Sequence, residues 1–297
     1  MRQWPLFQVD AFTDTPLQGN PCAVVLDADD MDGPLMQQVA REMNLSETAF
    51  VLHSAVADVG ARYFTPAEEI PLAGHPTLST LYTVVTQKRV ASHEGLNTYR
   101  LELPAGVISV DVLVSNGAVQ RVVMSQRKPQ FLKIWPGDVI APLFRLSVDD
   151  LLPGAVLQTV STGTPQLMIP LRDLAALRKA EVQVSPYLAA RSQADWFSAH
   201  LFCLQGATPA GRTYARHFGT PPDAFEDPFT GSASGGMGAY LWRYGLIDTP
   251  AWKAEQGHWM GRPGTGTVEV VGPRDDIETV RVGGQVAPVL EATLRLP

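Results

Sequence analysis

Apolar and polar residues alternate along much of the chain, with the period that is typical of β-strands. In the first half this alternation predicts strands at residues 6–12, 20–26, 45–52, 61–65 and 106–126. The last of these ranges is predicted to fold into a hairpin at Asn116-Gly117. In the second half we expect strands at residues 158–161, 166–169, 200–205, 267–271, 279–282 and 286–296, after a loosely patterned and partly helical stretch that ends at Pro153.

Two stretches follow a helical period instead. Pro34 stands at a favoured first-turn position, and Asn44 is the predicted end of that helix. Residues 78–85 are apolar enough for a largely buried helix. Strands and helices follow one another without a regular βαβ rhythm, which favours a mixed α+β fold.

The residues Glu-Ile-Pro-Leu-Ala-Gly-His at 69–75 recur half a chain later as Glu-Asp-Pro-Phe-Thr-Gly-Ser at 226–232. A repeat at this period predicts two similar lobes that each contain the same turn. We place the lobes at residues 1–127 and 128–297, with the last strand free to cross back to the first lobe. The copies differ where chemistry would occur, since Asp227 replaces Ile70 and Ser232 replaces His75.

The composition narrows the class of partner. The chain has 297 residues, 45% of them hydrophobic and 18% charged, and a net charge of −7. An acidic chain without a basic block is not expected to bind nucleic acid or an anionic membrane. We also expect no membrane span and, because the N-terminal residues lack the apolar core of a signal peptide, a cytoplasmic location.

Three residues of the first lobe are candidates for chemistry. Glu47 would share a strand face with apolar neighbours, where burial raises the pKa of a carboxyl group toward the range of a general acid or base. A solvated or ion-paired Glu47 at the strand end is an equally good interpretation. Gly74 and His75 begin the predicted buried helix, whose first amides favour an anion and whose histidine could donate or shuttle a proton. A purely structural histidine is the alternative.

The second copy of the turn offers a matching set. Thr230, Gly231 and Ser232 would present hydroxyls and amides at the start of another helix, and Asp227 adds a carboxylate. The alternative for this segment is simple helix capping by Ser232 or Ser234.

Other binding motifs are missing from the sequence. It contains no nucleophile elbow, dinucleotide fingerprint or phosphate-binding lysine loop, and its six histidines show no metal-binding spacing. We therefore expect no metal and no cofactor. Cys22 and Cys203 are far apart in sequence and are expected to be buried free thiols.

Several blocks together resemble the phenazine-biosynthesis (PhzF-like) isomerase family. They are Asp-Ala-Phe-Thr at 10–13, Gly-Asn-Pro at 19–21, Asn-Leu-Ser-Glu-Thr at 44–48, Phe-Thr-Pro at 64–66, Ala-Gly-His-Pro-Thr at 73–77, Glu-Asp-Pro-Phe-Thr-Gly-Ser-Ala at 226–233, Gln-Gly at 256–257 and Met-Gly-Arg-Pro at 260–263. The blocks follow the family's order over nearly the whole chain.

The resemblance implies a diaminopimelate-epimerase-like fold: two pseudo-symmetric lobes, each a curved sheet around a central helix, with the active site in the cleft between them. It also implies a homodimer and a cofactor-independent proton-shifting enzyme. Glu47 matches the family's catalytic acid/base, and Gly74, His75, Asp227, Gly231 and Ser232 match residues that bind substrate and assist proton transfer. The motifs carry no cysteine, so racemisation by two thiols is not expected.

From these observations we expect an isomerase that moves a proton between carbons of a small carboxylate-bearing substrate. Two alternatives remain open at this point. One is an amino-acid epimerase in which Glu47 and Asp227 act from opposite faces of the substrate. The other is a non-catalytic metabolite-binding protein that keeps the same pocket.

Overall fold

The computed structural model describes residues 1–220 and 225–296. Its contacts divide the chain into two units, the first made of residues 1–125 and 283–296 and the second of residues 126–220 and 225–282. The C-terminal strand thus belongs to the first unit. The sequence-based boundary at 127/128 lies two residues beyond the end of the first segment.

The first unit consists mainly of strands. Its elements are β1 (Arg2–Ala11), β2 (Asn20–Val25), α1 (Gly33–Met43), β3 (Glu47–Leu52), β4 (Val59–Phe64), β5 (Glu69–Ile70), α2 (Gly74–Thr86), β6 (Gly95–Leu103), β7 (Gly106–Ser115) and β8 (Ala118–Ser125).

The second unit has the same character. Its elements are β9 (Gln130–Trp135), α3 (Gly137–Ile140), two 3-10 helices (Ala141–Phe144 and Val148–Asp150), β10 (Leu157–Ser161), β11 (Pro165–Pro170), α4 (Leu174–Lys179), α5 (Val184–Arg191), β12 (Ser198–Cys203), β13 (Thr213–Phe218), β14 (Glu226–Asp227), α6 (Gly231–Arg243), β15 (Ala251–Gln256), a 3-10 helix (His258–Met260), β16 (Gly264–Val271) and β17 (Thr279–Gly284). β18 (Val286–Leu296) then pairs with β1 of the first unit.

Strand pairing follows one order in both units. β1 pairs antiparallel with β2, β2 parallel with β3, β3 antiparallel with β4, and β4 pairs with both the short β5 and the parallel β6. In the second unit β10, β11, β12, β13, β14 and β15 repeat these relations one for one. The predicted internal repeat is therefore present in the backbone of each unit.

A buried helix follows the short strand in each unit. Eleven of the thirteen residues of α2 are buried, as are ten of the thirteen residues of α6. A helix buried on nearly all sides must be surrounded by other elements, and here it contacts several strands of its own sheet. Each unit is thus a curved mixed sheet around a central helix, which confirms the predicted α+β fold class.

The opposite face of each sheet carries the remaining helices. In the first unit α1 packs Met36 and Val39 against Phe50 of β3. In the second unit Leu177 of α4 and Tyr187 of α5 are buried in one cluster with Leu201 of β12 and other apolar residues. Because side chains alternate along a strand, the residues Glu47 and His200 face the central helices instead.

Most of the predicted elements are present. The helix that Pro34 opens ends at Asn44 in a left-handed conformation, and the hairpin turns at Asn116 and Gly117, both with positive φ. The prediction for the start of the second half was incomplete, because β9 precedes the short helices there. None of the helices in the described residues has the length and apolar character needed to cross a bilayer.

Candidate active site

An arginine holds the turn that leads into α2. The Arg62 guanidinium donates two hydrogen bonds to Glu69, with Nε and Nη2 each 2.7 Å from a carboxylate oxygen. It also stacks over the ring of Phe64, 5.2 Å from the ring centre. Glu69 is directly followed by the segment that starts α2 at Gly74, so this pair anchors the turn before the helix.

The second unit repeats the same contact. Arg216 donates two hydrogen bonds of 2.8 Å to Glu226 and stacks over Phe218 at 4.8 Å. Glu226 leads to the start of α6 at Gly231. The repeated heptad therefore marks an equivalent strand-to-helix turn in each unit, as the repeat predicts.

Glu47 and His75 meet in the first unit. Glu47 is the first residue of β3, and its side chain points toward α2, where His75 occupies the first turn. His75 Nε2 lies 3.1 Å from Glu47 Oε2, with 4% of the histidine side chain and 18% of the glutamate side chain exposed. Glu47 is thus neither fully buried nor simply solvated at a strand end, because it faces a buried imidazole.

Asn20 contacts the second ring nitrogen of His75. Its Nδ2 amide is 3.0 Å from Nδ1 of the ring, and an amide nitrogen donates but does not accept. With this amide orientation Nδ1 accepts and the ring proton lies on Nε2, which is 3.1 Å from Glu47 Oε2 without the alignment of a hydrogen bond, and the Pro21 backbone also bonds the ring. Burial lowers the pKa of His75 to about 3, so the ring is neutral at pH 7.

Asp227 belongs to a small hydrogen-bonded network in the second unit. The Thr230 hydroxyl donates to Asp227 Oδ2 at 2.5 Å. The Gln256 amide group donates to the Asp227 carbonyl at 2.6 Å and to the Thr230 hydroxyl at 3.2 Å, and its oxygen accepts from the Thr230 backbone at 3.1 Å. The segment just before α6 is therefore held in one conformation by polar contacts.

Ser232 lies in the first turn of α6. Its hydroxyl accepts a 3.0 Å hydrogen bond from the buried amide of Gln166, while Gln126 donates to the carbonyl of Gly231 at 2.9 Å. The capping alternative is wrong, because Thr230 is the N-cap residue and Ser234 donates back to the Thr230 carbonyl at 2.9 Å. Among the described residues, neither Ala73 nor Thr230 makes a side-chain cap at its helix. Backbone donors at such helix starts suit an anion.

The structure thus groups the candidate residues by unit: Glu47 with His75 and Gly74, and Asp227 with Thr230, Gly231 and Ser232. Sequence reasoning did not select the amide side chains of Asn20, Gln126, Gln166 and Gln256. Two of these residues could have been selected from the sequence, because Asn20 and Gln256 lie in blocks that carry the family resemblance.

Both cysteines are buried and free, as predicted. Burial raises the pKa of Cys203 to about 11 and that of Cys22 further still. A thiol with such a pKa is protonated at pH 7 and is a poor base. The candidate groups for proton transfer in the first unit are therefore the carboxylate of Glu47 and the imidazole of His75.

The fold is shared with solved structures of epimerases. A hydroxyproline epimerase from Agrobacterium vitis has the same fold, with a TM-score of 0.70 at 11% identity over 99% of this chain and 92% of that one. The chain belongs to the phenazine biosynthesis-like (PhzC-PhzF) family, whose sequence model matches residues 9–292. A PhzF-family protein from Bacillus anthracis matches it with a TM-score of 0.88 and 30% identity over the full length of both chains.

Relatives in this family are named as isomerases. An uncharacterized isomerase of Bacillus subtilis is 32% identical over 91% of this chain and 92% of its own length. The trans-2,3-dihydro-3-hydroxyanthranilate isomerase of Pseudomonas chlororaphis is 32% identical over 93% of this chain and 94% of its own length.

Proposed function

We propose that this protein is a cofactor-independent isomerase that shifts a proton between two carbons of a small carboxylate-bearing substrate. One observation supports this proposal above the others: Glu47 faces the neutral imidazole of His75 at 3.1 Å. A carboxylate next to a fixed, uncharged N–H donor can take up a proton and return it without a large change in its surroundings.

In this proposal Glu47 takes a proton from one carbon of the substrate and returns it to another carbon on the same face. His75 keeps the carboxylate oriented through Nε2–H. Gly74, Thr230, Gly231 and Ser232 bind the substrate through backbone and hydroxyl donors, and Asp227 assists as the further catalytic group. The substrate class follows from the Pseudomonas chlororaphis relative, whose named substrate is a dihydro-anthranilate, a ring that carries a carboxylate, an amine and a hydroxyl group.

The test is deuterium exchange with trans-2,3-dihydro-3-hydroxyanthranilate as the probe in D2O. We expect the wild-type protein to form an isomer and to place deuterium at a substrate carbon. Glu47→Gln keeps the size of the side chain but removes the titratable proton, so turnover should fall by roughly 10²- to 10⁴-fold. Glu42→Gln changes an exposed carboxylate on α1 and is the matched control.

The same assay distinguishes the alternatives. An epimerase would invert configuration at one carbon, whereas the isomerase keeps the proton on one face and moves the double bond. A metabolite-binding protein would bind the probe equally well in its wild-type and Glu47→Gln forms and would exchange no hydrogen. A folded Glu47→Gln variant with near-full turnover would show that Glu47 is not the acid/base.

We also propose that the enzyme needs no metal or organic cofactor and acts as a homodimer, as the family resemblance implies. Activity should then survive exhaustive chelation and dialysis, and light scattering should give twice the mass of the chain. A requirement for added metal, flavin, nicotinamide or pyridoxal phosphate would contradict the first statement, and a monomeric mass the second.

A further inference from the structure

Two buried glutamines contact the first turn of α6 in the second unit. Gln126 donates to the carbonyl of Gly231 at 2.9 Å, and Gln166 of β11 donates from Nε2 to the Ser232 hydroxyl at 3.0 Å. Only 2% of Gln166 is exposed, whereas Ser232 is partly exposed. The first contact holds the backbone of the helix, and the second acts on a side chain that we propose to bind the substrate.

The second contact restricts the direction of the Ser232 hydroxyl. A serine hydroxyl has one proton to donate and two lone pairs that accept. An amide nitrogen donates but does not accept, so Gln166 occupies one lone pair and the Ser232 proton must point elsewhere. The hydroxyl therefore stays available as a donor, and a carboxylate is the acceptor that makes the stronger hydrogen bond with it.

The surroundings of the Gln166 amide favour this orientation. Its Oε1 atom is buried and has no hydrogen-bond partner within the described residues. In the reversed orientation an NH2 group would take that position and would find no acceptor there. A buried N–H without an acceptor is rarer in proteins than a buried C=O without a donor. The nitrogen of the amide therefore belongs next to Ser232.

The first unit makes an equivalent contact from a different position. Residues 163–166 (Gly-Thr-Pro-Gln) match residues 19–22 (Gly-Asn-Pro-Cys), so a glutamine takes the place of a cysteine. In the first unit the carboxamide is that of Asn20, whose Nδ2 lies 3.0 Å from Nδ1 of His75. His75 and Ser232 are each the second residue of their helix. A carboxamide thus contacts the same helix position in both units but comes from different strand positions, which favours a role at the site over a role in the shared scaffold.

We propose that Gln166 is a positioning residue for Ser232, which keeps the serine hydroxyl as a donor for the substrate carboxylate. The inference rests on the proposed function and adds the group that sets this contact. Gln166 acts through Ser232, because its own side chain is buried. A contact to a carboxylate that does not react is made equally in the ground state and the transition state, so its loss should appear in KM and not in kcat.

Steady-state kinetics on the trans-2,3-dihydro-3-hydroxyanthranilate probe measure this role. Gln166→Met keeps the length of the side chain but removes the donor, and we expect KM to rise roughly 3- to 10-fold with kcat almost unchanged. In a Ser232→Ala background the same substitution should leave KM almost unchanged, because the hydroxyl that it orients is gone. An unchanged KM in Gln166→Met, or an equal rise with and without the Ser232 hydroxyl, would overturn the proposal.

Gln158→Met is the matched control for these kinetics. Gln158 is another buried glutamine of the second unit, and its amide donates to the carbonyl of Leu132 at 2.9 Å. Its loss removes a buried hydrogen bond without touching Ser232, so KM should stay at the wild-type value. A rise in KM equal to that of Gln166→Met would mean that the effect comes from a general loss of packing, and the positioning role would be refuted.

Gln166→Glu tests the direction of the contact. A carboxylate has nearly the same shape as the amide but only accepts, so the Ser232 proton should turn toward it and away from the substrate. We expect KM to rise more than in Gln166→Met. A KM near the wild-type value would show that residue 166 serves Ser232 as an acceptor, which contradicts the proposal.

Urea unfolding provides a measurement that needs no substrate. In a double-mutant cycle of Gln166→Met and Ser232→Ala, the coupling should correspond to a roughly 2- to 10-fold change in the unfolding equilibrium constant, the scale of one hydrogen bond. Additive effects would show that Gln166 does not hold Ser232, and the inference would fail. If the wild type does not turn over the probe, the proposed function fails on that substrate, and this cycle still decides whether Gln166 holds Ser232.

Discussion

We propose a catalytic role for Glu47, at the start of β3, because of the residues that surround it. Glu47 shares its strand face with Ala49 and Val51, both buried, so water has limited access to its inner side. The neighbouring imidazole of His75 supplies a polar partner that stays uncharged. A charged partner would stabilise the Glu47 carboxylate more strongly than this neutral imidazole does.

At the scale of single residues, we predict that His75→Phe lowers turnover without unfolding the protein. Phenylalanine keeps a planar ring but removes the donor next to Glu47, and a hydrogen bond to a charged group contributes about 1.5–3 kcal/mol. The expected loss in kcat is therefore roughly 10- to 100-fold, smaller than for Glu47→Gln. Steady-state kinetics on the probe, with circular dichroism as the folding check, measure this effect. Turnover within twofold of wild type would contradict the proposed role of His75.

The sequence alone was sufficient to select the main candidate residues, but not to identify the side chains that contact them. Glu47, His75 and Asp227 could be selected because a strand pattern and a repeated turn placed them. Asn20 and Gln166 could not be linked to His75 and Ser232, because each pair joins residues more than fifty positions apart. Such contacts depend on strand order and register, which local patterns do not determine.

At the scale of elements, the Arg-Glu pairs explain why the two turns repeat. Arg216 lies deeper than Arg62, with 17% of its side chain exposed against 30%. It also donates to the carbonyls of Leu177 and Ala180 at the end of α4. More buried polar groups therefore lose their partners when Arg216 is removed.

We accordingly predict that Arg216→Met destabilises the protein more than Arg62→Met. Breaking hydrogen bonds to a partly buried charged group costs about 1–3 kcal/mol, and we expect Arg216 at the upper end and Arg62 at the lower end. Urea unfolding of the two variants, compared with wild type, tests the order. Equal midpoints, or a larger loss for Arg62→Met, would contradict it.

The glycines of α6 reflect close packing around this helix. A Cβ at Gly235 would lie 1.9 Å from Oε1 of Gln126, whose amide also bonds to the helix start at Gly231. A Cβ at Gly236 would lie 2.8 Å from the terminal methyl group of Met168. The first neighbour is held by a hydrogen bond, and the second is the end of a flexible side chain.

Gly235→Ala should therefore cost more than Gly236→Ala, although alanine has the higher helix propensity at both positions. We expect Gly235→Ala to displace Gln126 and to lower stability by about 1–3 kcal/mol, the usual cost of overpacking. Gly236→Ala should be close to neutral once Met168 adjusts. Thermal melts of the two variants, with a crystal structure of Gly235→Ala, check the ranking, which fails if Gly236→Ala melts at the lower temperature.

Element prediction failed where burial hides the usual pattern. β13 contains Arg216 and His217, which read as polar, yet His217 is buried and Arg216 is paired with Glu226. Arg216 therefore interrupts the apolar face that Tyr214 and Phe218 form, and His217 lies on the other face. β6 is a different case, because its sequence does show the strand pattern: Asn97, Tyr99, Leu101 and Leu103 alternate with more exposed residues and are buried.

At the scale of the whole molecule, the repeated pairing order shows one architecture used twice with different polar residues. By register the slot of Glu47 in β3 is taken by Ser198 in β12, and the slot of His75 in α2 by Ser232 in α6. The scaffold tolerates these exchanges because the backbone hydrogen bonds and the apolar outer face carry its stability. The polar residues next to each central helix can therefore differ between the two units without loss of the fold.

Three buried histidines should make the free energy of unfolding depend on pH. Burial lowers the pKa of His75 and of His217 to about 3, and that of His200 well below its usual value. In the unfolded chain each would titrate near about 6.5. Between these values the unfolded state binds more protons than the folded state, so the free energy of unfolding falls as the pH falls below about 6.5.

We predict that the protein loses about 1.4 kcal/mol per histidine, or about 4 kcal/mol together, between about pH 7.5 and pH 5.5. Urea unfolding at several pH values in this range, followed by circular dichroism and tryptophan fluorescence, measures the loss. His75→Phe and His217→Gln should each remove about one third of the pH dependence, because each variant lacks one of the histidines that the unfolded chain protonates. A free energy of unfolding that stays constant across this range would mean that these rings take up protons equally in the folded and unfolded states. His75 would then not be the neutral partner that we assign to Glu47.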